Sequence, residues 1–352
     1  MEDSTQPGGA THVAPWRAST QVKVLAIDVS NLAYASAYVP QLNAMAYRGQ
    51  PTGVLFGALM SVLGAMRRTP NALPVLLWDG KAAWREALYP PYKSHRTDTP
   101  EKRALRESVR QQSLVIQDLA DLLGLVQVGF PDAEADDVAG MLARAANQKQ
   151  VALRLLSSDT DWWQALGPFV DWESPRDFRI VNVEGLQRLD KKAPAGGWNS
   201  PQEYLEAKIL AGDDADEIEG VAGVGLITAA KMLRTAPRGL QGLLDGEFSA
   251  QGAVAERLRT PEARDIIARN RRLMDWACAP LPNVSSASIR RGAYNEQAAT
   301  RLARQYGLFK LEQNFDQWEA HPKDPQAWRF VVDALERARD NLAQDCGEGG
   351  RL

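Results

Sequence analysis

The chain has 352 residues, 45% of them hydrophobic and 24% charged, with a formal net charge of −3. That balance gives ample core for one large or two moderate domains, and it excludes any argument for nucleic-acid binding from overall charge. No apolar run approaches membrane-spanning length. The two cysteines, Cys278 and Cys346, are too far apart for a zinc motif or disulfide framework. A reducing, cytoplasmic setting fits. Residues 1–20 are polar and contain Gly and Pro without the apolar core of a signal peptide, so they read as a disordered lead-in.

The first apolar run, Val22 to Ile27, ends in Asp28 and reads as a buried parallel strand. A loop is expected after Ser30 and Asn31. From Thr52 to Arg67, apolar residues (Val54, Leu55, Ala58, Leu59, Val62, Leu63, Met66) recur at helical spacing. Pro74 to Trp78 is a second buried strand, ending in Asp79-Gly80. Between Lys81 and Arg110 eight Lys and Arg face four Asp and Glu, and Glu101 to Leu123 has a helical pattern. A third strand, Leu125 to Val128, precedes Asp132-Ala133-Glu134-Ala135-Asp136-Asp137, which opens a helix to about Asn147. Val151 to Leu156 leads into Ser157-Ser158-Asp159-Thr160-Asp161, and short strands are expected at Phe169–Trp172 and Phe178–Val181.

Strands alternating with helices predict an α/β fold with a mostly parallel sheet. Leu189 to Asn199 has linker composition. Ser200-Pro201-Gln202-Glu203 is a helix start with a capping box, and the chain beyond it reads as helical to about Asp345. Arg301–Phe309 and Asp324–Leu342 are the clearest late helices, and residues 346–352 read as a frayed tail.

In a parallel sheet, ligands bind beyond the carboxyl ends of the strands. Asp28, Asp79, Glu134, Asp136, Asp159 and Asp161 all fall at that edge. A single acid before a helix is ordinarily a cap. Six on one edge repel one another unless cations intervene. Hard divalent ions with oxygen ligands resolve this, and two of them can clamp a phosphodiester during in-line displacement. Asp213 and Asp216 add a second acidic pair at i and i+3. The following Gly220-Val221-Ala222-Gly223-Val224-Gly225 is a tight turn before a helix, where free N–H groups can hold a phosphate.

Taken in order, these motifs are Ile27-Asp28, Trp78-Asp79-Gly80, Trp84-Arg85 with Tyr89 to Arg96, Glu134-Ala135-Asp136-Asp137, Ser158-Asp159-Thr160-Asp161, Gly212-Asp213 with Asp216, and the glycine turn. The sequence over Val22 to Pro282 thereby resembles the 5′→3′ exonuclease and flap endonuclease family of structure-specific nucleases, particularly its compact phage and bacterial members. The resemblance implies a PIN-like nuclease domain (21–190) joined to a helix–three-turn–helix, SAM-like module (200–300), with C-terminal helices (301–345).

It also implies two Mg²⁺ ions, replaceable by Mn²⁺. Asp28, Asp79, Glu134 and Asp136 would hold the first, with Asp137 adjacent, and Asp159, Asp161, Asp213 and Asp216 the second. Segment 80–110 resembles a helical arch passing a single-stranded 5′ end. There Lys93 and Arg96 would stabilise charge at the scissile phosphate, Arg85 would contact DNA, and Tyr92 would either stack on a base or pack in the core. His95 reads as a surface residue, and Trp162 and Trp163 as packing. Val221, Gly223, Gly225, Thr228 and Lys231 would grip the duplex, with K⁺ at the glycine turn. The implied partner is DNA with a 5′ end (flap, nick, duplex or RNA–DNA primer), bound by a monomer with no membrane attachment, in replication or primer processing.

Val29 stands where the family has Gly, Glu217 and Glu219 replace its Asn and Pro, and Ile227 and Thr228 stand where a Lys is usual. Three rivals compete: a non-catalytic DNA-binding member of the fold, a PIN-type ribonuclease, and the nuclease part of a DNA polymerase. The acidic positions all remain, which favours catalysis over the first. The Gly-Asp and glycine-turn module disfavours the second, and the short remaining chain the third.

Overall fold

The computed structural model describes residues 21–97, 99–189, 193–248, 252–280, 282 and 289–345. The expected lead-in and tail lie outside the described residues. Seven strands form one sheet: β1 (Val24–Asp28), β2 (Leu73–Trp78), β3 (Val126–Gly129), β4 (Leu153–Leu156), β5 (Val170–Glu173), β6 (Ile180–Val181) and β7 (Ile289–Arg291). Their spatial order is β7-β3-β2-β1-β4-β5-β6. The five central strands are parallel, whereas β6 and β7 pair antiparallel at the two edges.

Successive strand residues alternate between two apolar cores, one on each face. Leu25 and Ile27 face one core and Val24 and Ala26 the other, as the period-two pleat requires. The first core holds α1 (Val29–Ala37), α2 (Gly53–Arg68) and most of α4 (Pro100–Leu122). The basic segment opens with the short α3 (Ala83–Leu88). The second core holds α5 (Ala135–Lys149), α6 (Pro201–Ala211), α7 (Leu226–Leu233) and α8 (Pro261–Met274).

The nuclease-like and module segments share this second core. Trp198, fully buried in the expected linker, packs edge-on against Tyr204 at 5.2 Å, and Tyr204 also touches Trp163 at 5.3 Å. No helix among the described residues is long and apolar enough to cross a membrane.

Two expectations are corrected here. The stretch after Asp28 is helix, not loop: Asp28 itself accepts the Asn31 N–H at 2.9 Å and caps α1. The C-terminal half is not all helical either, because Ile289–Arg291 returns as edge strand β7. Ser200 caps α6 as expected by accepting the Glu203 N–H, but Glu203 reaches back to the Asn199 N–H at 2.6 Å rather than to the cap residue's own.

Candidate metal centre and its basic wall

Strand register brings the acids together. Asp28 lies level with Leu77, so the end of β1 stands beside the end of β2, and Ile27 lies level with Leu156, which puts Asp28 next to Ser157. The Ser157 hydroxyl donates to Asp28 at 2.9 Å. Asp79, just past β2, accepts the Ala135 N–H at 2.9 Å and thereby tethers the start of α5. Asp136 accepts from the indole of the fully buried Trp162 at 2.8 Å. Asp159 caps the next turn by accepting the Asp161 N–H at 2.8 Å.

A cavity of about 340 Å³ opens at this edge. Asp28, Asp79, Asp136, Asp159 and Asp216 line it, facing Lys93, Arg96, Lys102 and Arg106. A neighbouring space of about 720 Å³ under the basic segment is lined in part by Asp79, Lys93, Arg96 and Glu134. Asp161 and Asp213 do not line the smaller cavity; they share Lys208, whose Nζ lies 2.9 and 2.6 Å from them.

The electrostatics mark a congested anionic cluster. Burial, then the charge of Asp79, pushes the Asp28 carboxyl up to about 8. Burial and Asp159 push Asp161 up to about 7 and raise Asp136 well above the carboxylate range. Asp216 is also raised by burial, in spite of Lys93 and Arg96. Glu134 moves the other way: burial opposes its charge, but Lys93 at 2.9 Å and Arg85 at 3.3 Å more than compensate. No three His, Cys, Asp or Glu among the described residues close around one point, and lysines already bridge Glu134 with Asp216 and Asp161 with Asp213. The donor set is nonetheless all oxygen with surplus negative charge, the chemistry hard divalent cations accept.

Residues 23–189 match the family model of the 5′–3′ exonuclease N-terminal, resolvase-like domain. Over these residues the chain is similar to the 5′–3′ exonuclease family. The thermostable DNA polymerase I of Thermus filiformis is 35% identical over 212 residues, 60% of this chain and 23% of the polymerase. DNA polymerase I of Mycobacterium tuberculosis is 27% identical over 268 residues, 75% of this chain and 28% of the polymerase. The chain thus spans about a quarter of the length of these curated relatives. The structure of the T5 D15 protein with metal ions superposes with a TM-score of 0.60 at 17% identity, covering 90% of this chain and 99% of that one. The catalytic core of Rad2 with DNA substrate gives 0.53 at 12% identity, covering 87% and 94%. The fold is therefore the PIN-like one of these nucleases.

Against that family pattern, Asp137 and Arg85 take other roles than expected, and Tyr92 takes the second of its two. Asp137 does not face the cavity: Arg85 takes both its oxygens at 2.9 and 2.6 Å, and it caps the Glu134 N–H at 2.9 Å. Arg85 is 2% exposed, so it cannot reach DNA; its Nε donates to the Leu273 carbonyl at 3.1 Å and ties α3 to α8. Tyr92 is 6% exposed and donates to Glu134 at 2.9 Å, so it is a core residue holding a carboxylate, not a stacking platform. His95 is a half-exposed residue paired with Glu217, and Trp162 and Trp163 are buried packing residues.

At the glycine turn, Gly223 takes a φ of 79° and Gly225, Thr228 and Lys231 are exposed. Val221, by contrast, is a core residue. Two of the turn's carbonyls and the one before them already have donors, two of these being arginines. Glu219 O takes Arg269 at 2.6 Å and Asn270 at 2.9 Å, Val221 O takes the Val224 N–H at 2.9 Å, and Ala222 O takes Arg257. This donor set does not fit the expected K⁺ site.

Sequence reasoning missed Lys208, Asn31, Lys102, Arg106 and Ser157. Asn31 binds the Ser158 N–H and hydroxyl at 3.1 and 2.6 Å, and its i+3 spacing from Asp28 becomes a signal once Val29–Ala37 is read as a helix.

Proposed function

We propose that this chain is a divalent-metal-dependent hydrolase that cuts phosphodiester bonds at or near 5′ ends of DNA and leaves a 5′-phosphate. The observation that carries the reading is the single cavity where acids from several strand ends face a wall of Lys93, Arg96, Lys102 and Arg106. Asp28, Asp79, Glu134 and Asp136 would hold one ion, Asp159, Asp161, Asp213 and Asp216 another, with Mg²⁺ as the natural choice and Mn²⁺ able to replace it. Bound there, such ions supply Lewis acidity and a water of lowered pKa.

The chain's own groups do the rest. Lys93 and Arg96 hold the scissile phosphate against the acids and offset charge developing on it. Ser157 and Trp162 orient Asp28 and Asp136 through the bonds already described. The exposed residues Gly223, Gly225, Thr228 and Lys231, at a turn before a helix, suit the backbone of a flanking duplex. The DNA polymerases among the relatives support a replicative or primer-processing role in a bacterial or phage-infected cytoplasm, and the T5 D15 flap endonuclease complex with DNA and metal ions supports the substrate class.

The test is digestion of 5′-labelled flap, nicked and blunt duplex DNA with Mg²⁺, alongside Asp159→Asn and Lys93→Ala. Hydrolysis unaffected by Asp159→Asn would remove the second metal site. Unchanged cutting by Lys93→Ala would remove the role given to that lysine. A parent that binds DNA but cuts none of it would be a binding member of the fold.

A further inference from the structure

We propose that Glu217 is a positioning residue, a latch that fastens the base of the basic segment to the loop carrying Asp213 and Asp216 and so sets where Lys93 and Arg96 stand over the cavity. It rests on the reading of that cavity as the hydrolytic centre.

One oxygen, Glu217 Oε2, takes three donors from the basic segment: the Ser94 hydroxyl at 3.0 Å, the His95 N–H at 2.8 Å and His95 Nδ1 at 2.7 Å. The neighbouring residues on both sides are joined as well. The Lys93 N–H donates to the Asp216 carbonyl at 3.0 Å, and Arg96 donates to the Asp216 carboxylate at 2.6 Å. Every residue from Lys93 to Arg96 is therefore tied to Asp216 or Glu217.

The backbone on both sides is disfavoured. Lys93 has a φ of 54° and Glu217 a φ of 58°, a left-handed conformation that Gly or Asn adopts more readily. Such conformations persist where surrounding contacts hold them. A glutamate is a poor choice for that turn on backbone grounds, so what it offers there is its side chain. Releasing it would free Lys93 to relax toward ordinary φ, and its Nζ would leave the 2.9 Å contact with Glu134. The rival role for Glu217 is a surface carboxylate that only adds negative charge beside Asp216.

The experiment compares the parent, Glu217→Ala and Glu217→Gln by steady-state cleavage of a 5′-flap DNA with Mg²⁺, and by limited trypsin digestion of the same full-length proteins without DNA. In the latch reading, Glu217→Ala lowers kcat by at least about tenfold with KM within about threefold, since small misplacement of a positioned group costs turnover more than binding. Glu217→Gln keeps most of the rate, because its amide oxygen can accept the same donors. Trypsin cleaves after Lys93 and Arg96 faster in Glu217→Ala and at the parent rate in Glu217→Gln. The latch is overturned if Glu217→Ala matches the parent in both assays, or if Glu217→Gln falls as far as Glu217→Ala. If the parent cuts no DNA, the proposed function fails, and the trypsin rates alone still decide for or against the latch.

Discussion

Arg85 offers the sharpest test of the structure against the sequence pattern, because a DNA contact and a buried ion pair predict opposite results for Arg85→Ala. Its side chain is 3% exposed and that of Asp137 is 4% exposed, with contacts of 2.9 and 2.6 Å between them. Burial disfavours the guanidinium charge, but the hydrogen-bonded Asp137 more than reverses this, so the arginine's pKa is raised. Truncation to Ala leaves Asp137 buried with only the Glu134 N–H as an observed donor. Breaking a buried pair from one side costs about 3–5 kcal/mol, a large share of the roughly 5–15 kcal/mol that holds a domain folded. The melting temperature should fall by roughly 4–7 °C for a chain of this size. Replacing both partners with apolar residues, Arg85→Met with Asp137→Leu, should recover much of that loss, because volume-matched apolar pairs tolerate such sites. The assay is thermal and urea unfolding, with DNA affinity measured across a salt series. A phosphate contact would instead leave unfolding unchanged and make the slope of log affinity against log salt shallower by about 1. That outcome would refute the buried pair.

Tyr92→Phe should cost about 1.5–3 kcal/mol in urea unfolding, since a buried carboxylate loses a hydroxyl donor, while DNA affinity stays at the parent value; a loss of affinity with unchanged stability would restore the stacking role. In EDTA, Asp28→Asn should be more stable than the parent at pH 8.5 and closer to it at pH 5. The reason is that a carboxyl raised from 3.8 to about 8 contributes stability that is present below its ordinary pKa and lost as pH rises through the folded value; a gap that widens toward acid would contradict this. Mg²⁺ at about 100 times its dissociation constant should raise parent stability by about 2.7 kcal/mol and do much less for Asp159→Asn, as read by melting temperature. Lys208→Met should leave Asp161 and Asp213 without their shared counter-charge and lower metal-free stability, with Mg²⁺ restoring more of it than in the parent; a variant as stable as the parent in EDTA would show that the lysine carries no such load.

What could be read in the residues alone, and what could not, divides along a physical line. The acids at strand ends were legible because strand direction and period-two burial are local properties, and in a parallel sheet they place all carboxyl ends together. The edge strand β7 was not, because Ile289–Arg291 is three residues long with two arginines, a pattern that suits an exposed edge and resembles a loop. Helix α1 was masked by Val29, Ser30, Asn31 and Tyr34, which are weak helix formers; its start is decided by Asp28, a residue already claimed for another purpose. The roles of Arg85, Tyr92 and Asp137 depend on α3 lying against α5 and α8, through contacts 52 and 188 positions apart in the chain. A basic residue in a basic stretch looks the same whether it faces phosphate or a buried carboxylate. The larger consequence concerns charge. Counting acids by motif overstates the bare negative charge at this edge, because Lys93 and Lys208 each bridge two of the same carboxylates. Those lysines lie far from the acids in sequence or inside an ordinary helical pattern, so the neutralising half of the cluster becomes visible only once the chain is folded. A cation entering the site must therefore compete with or displace side chains that already hold its ligands, and its affinity is set by that exchange as much as by the number of carboxylates.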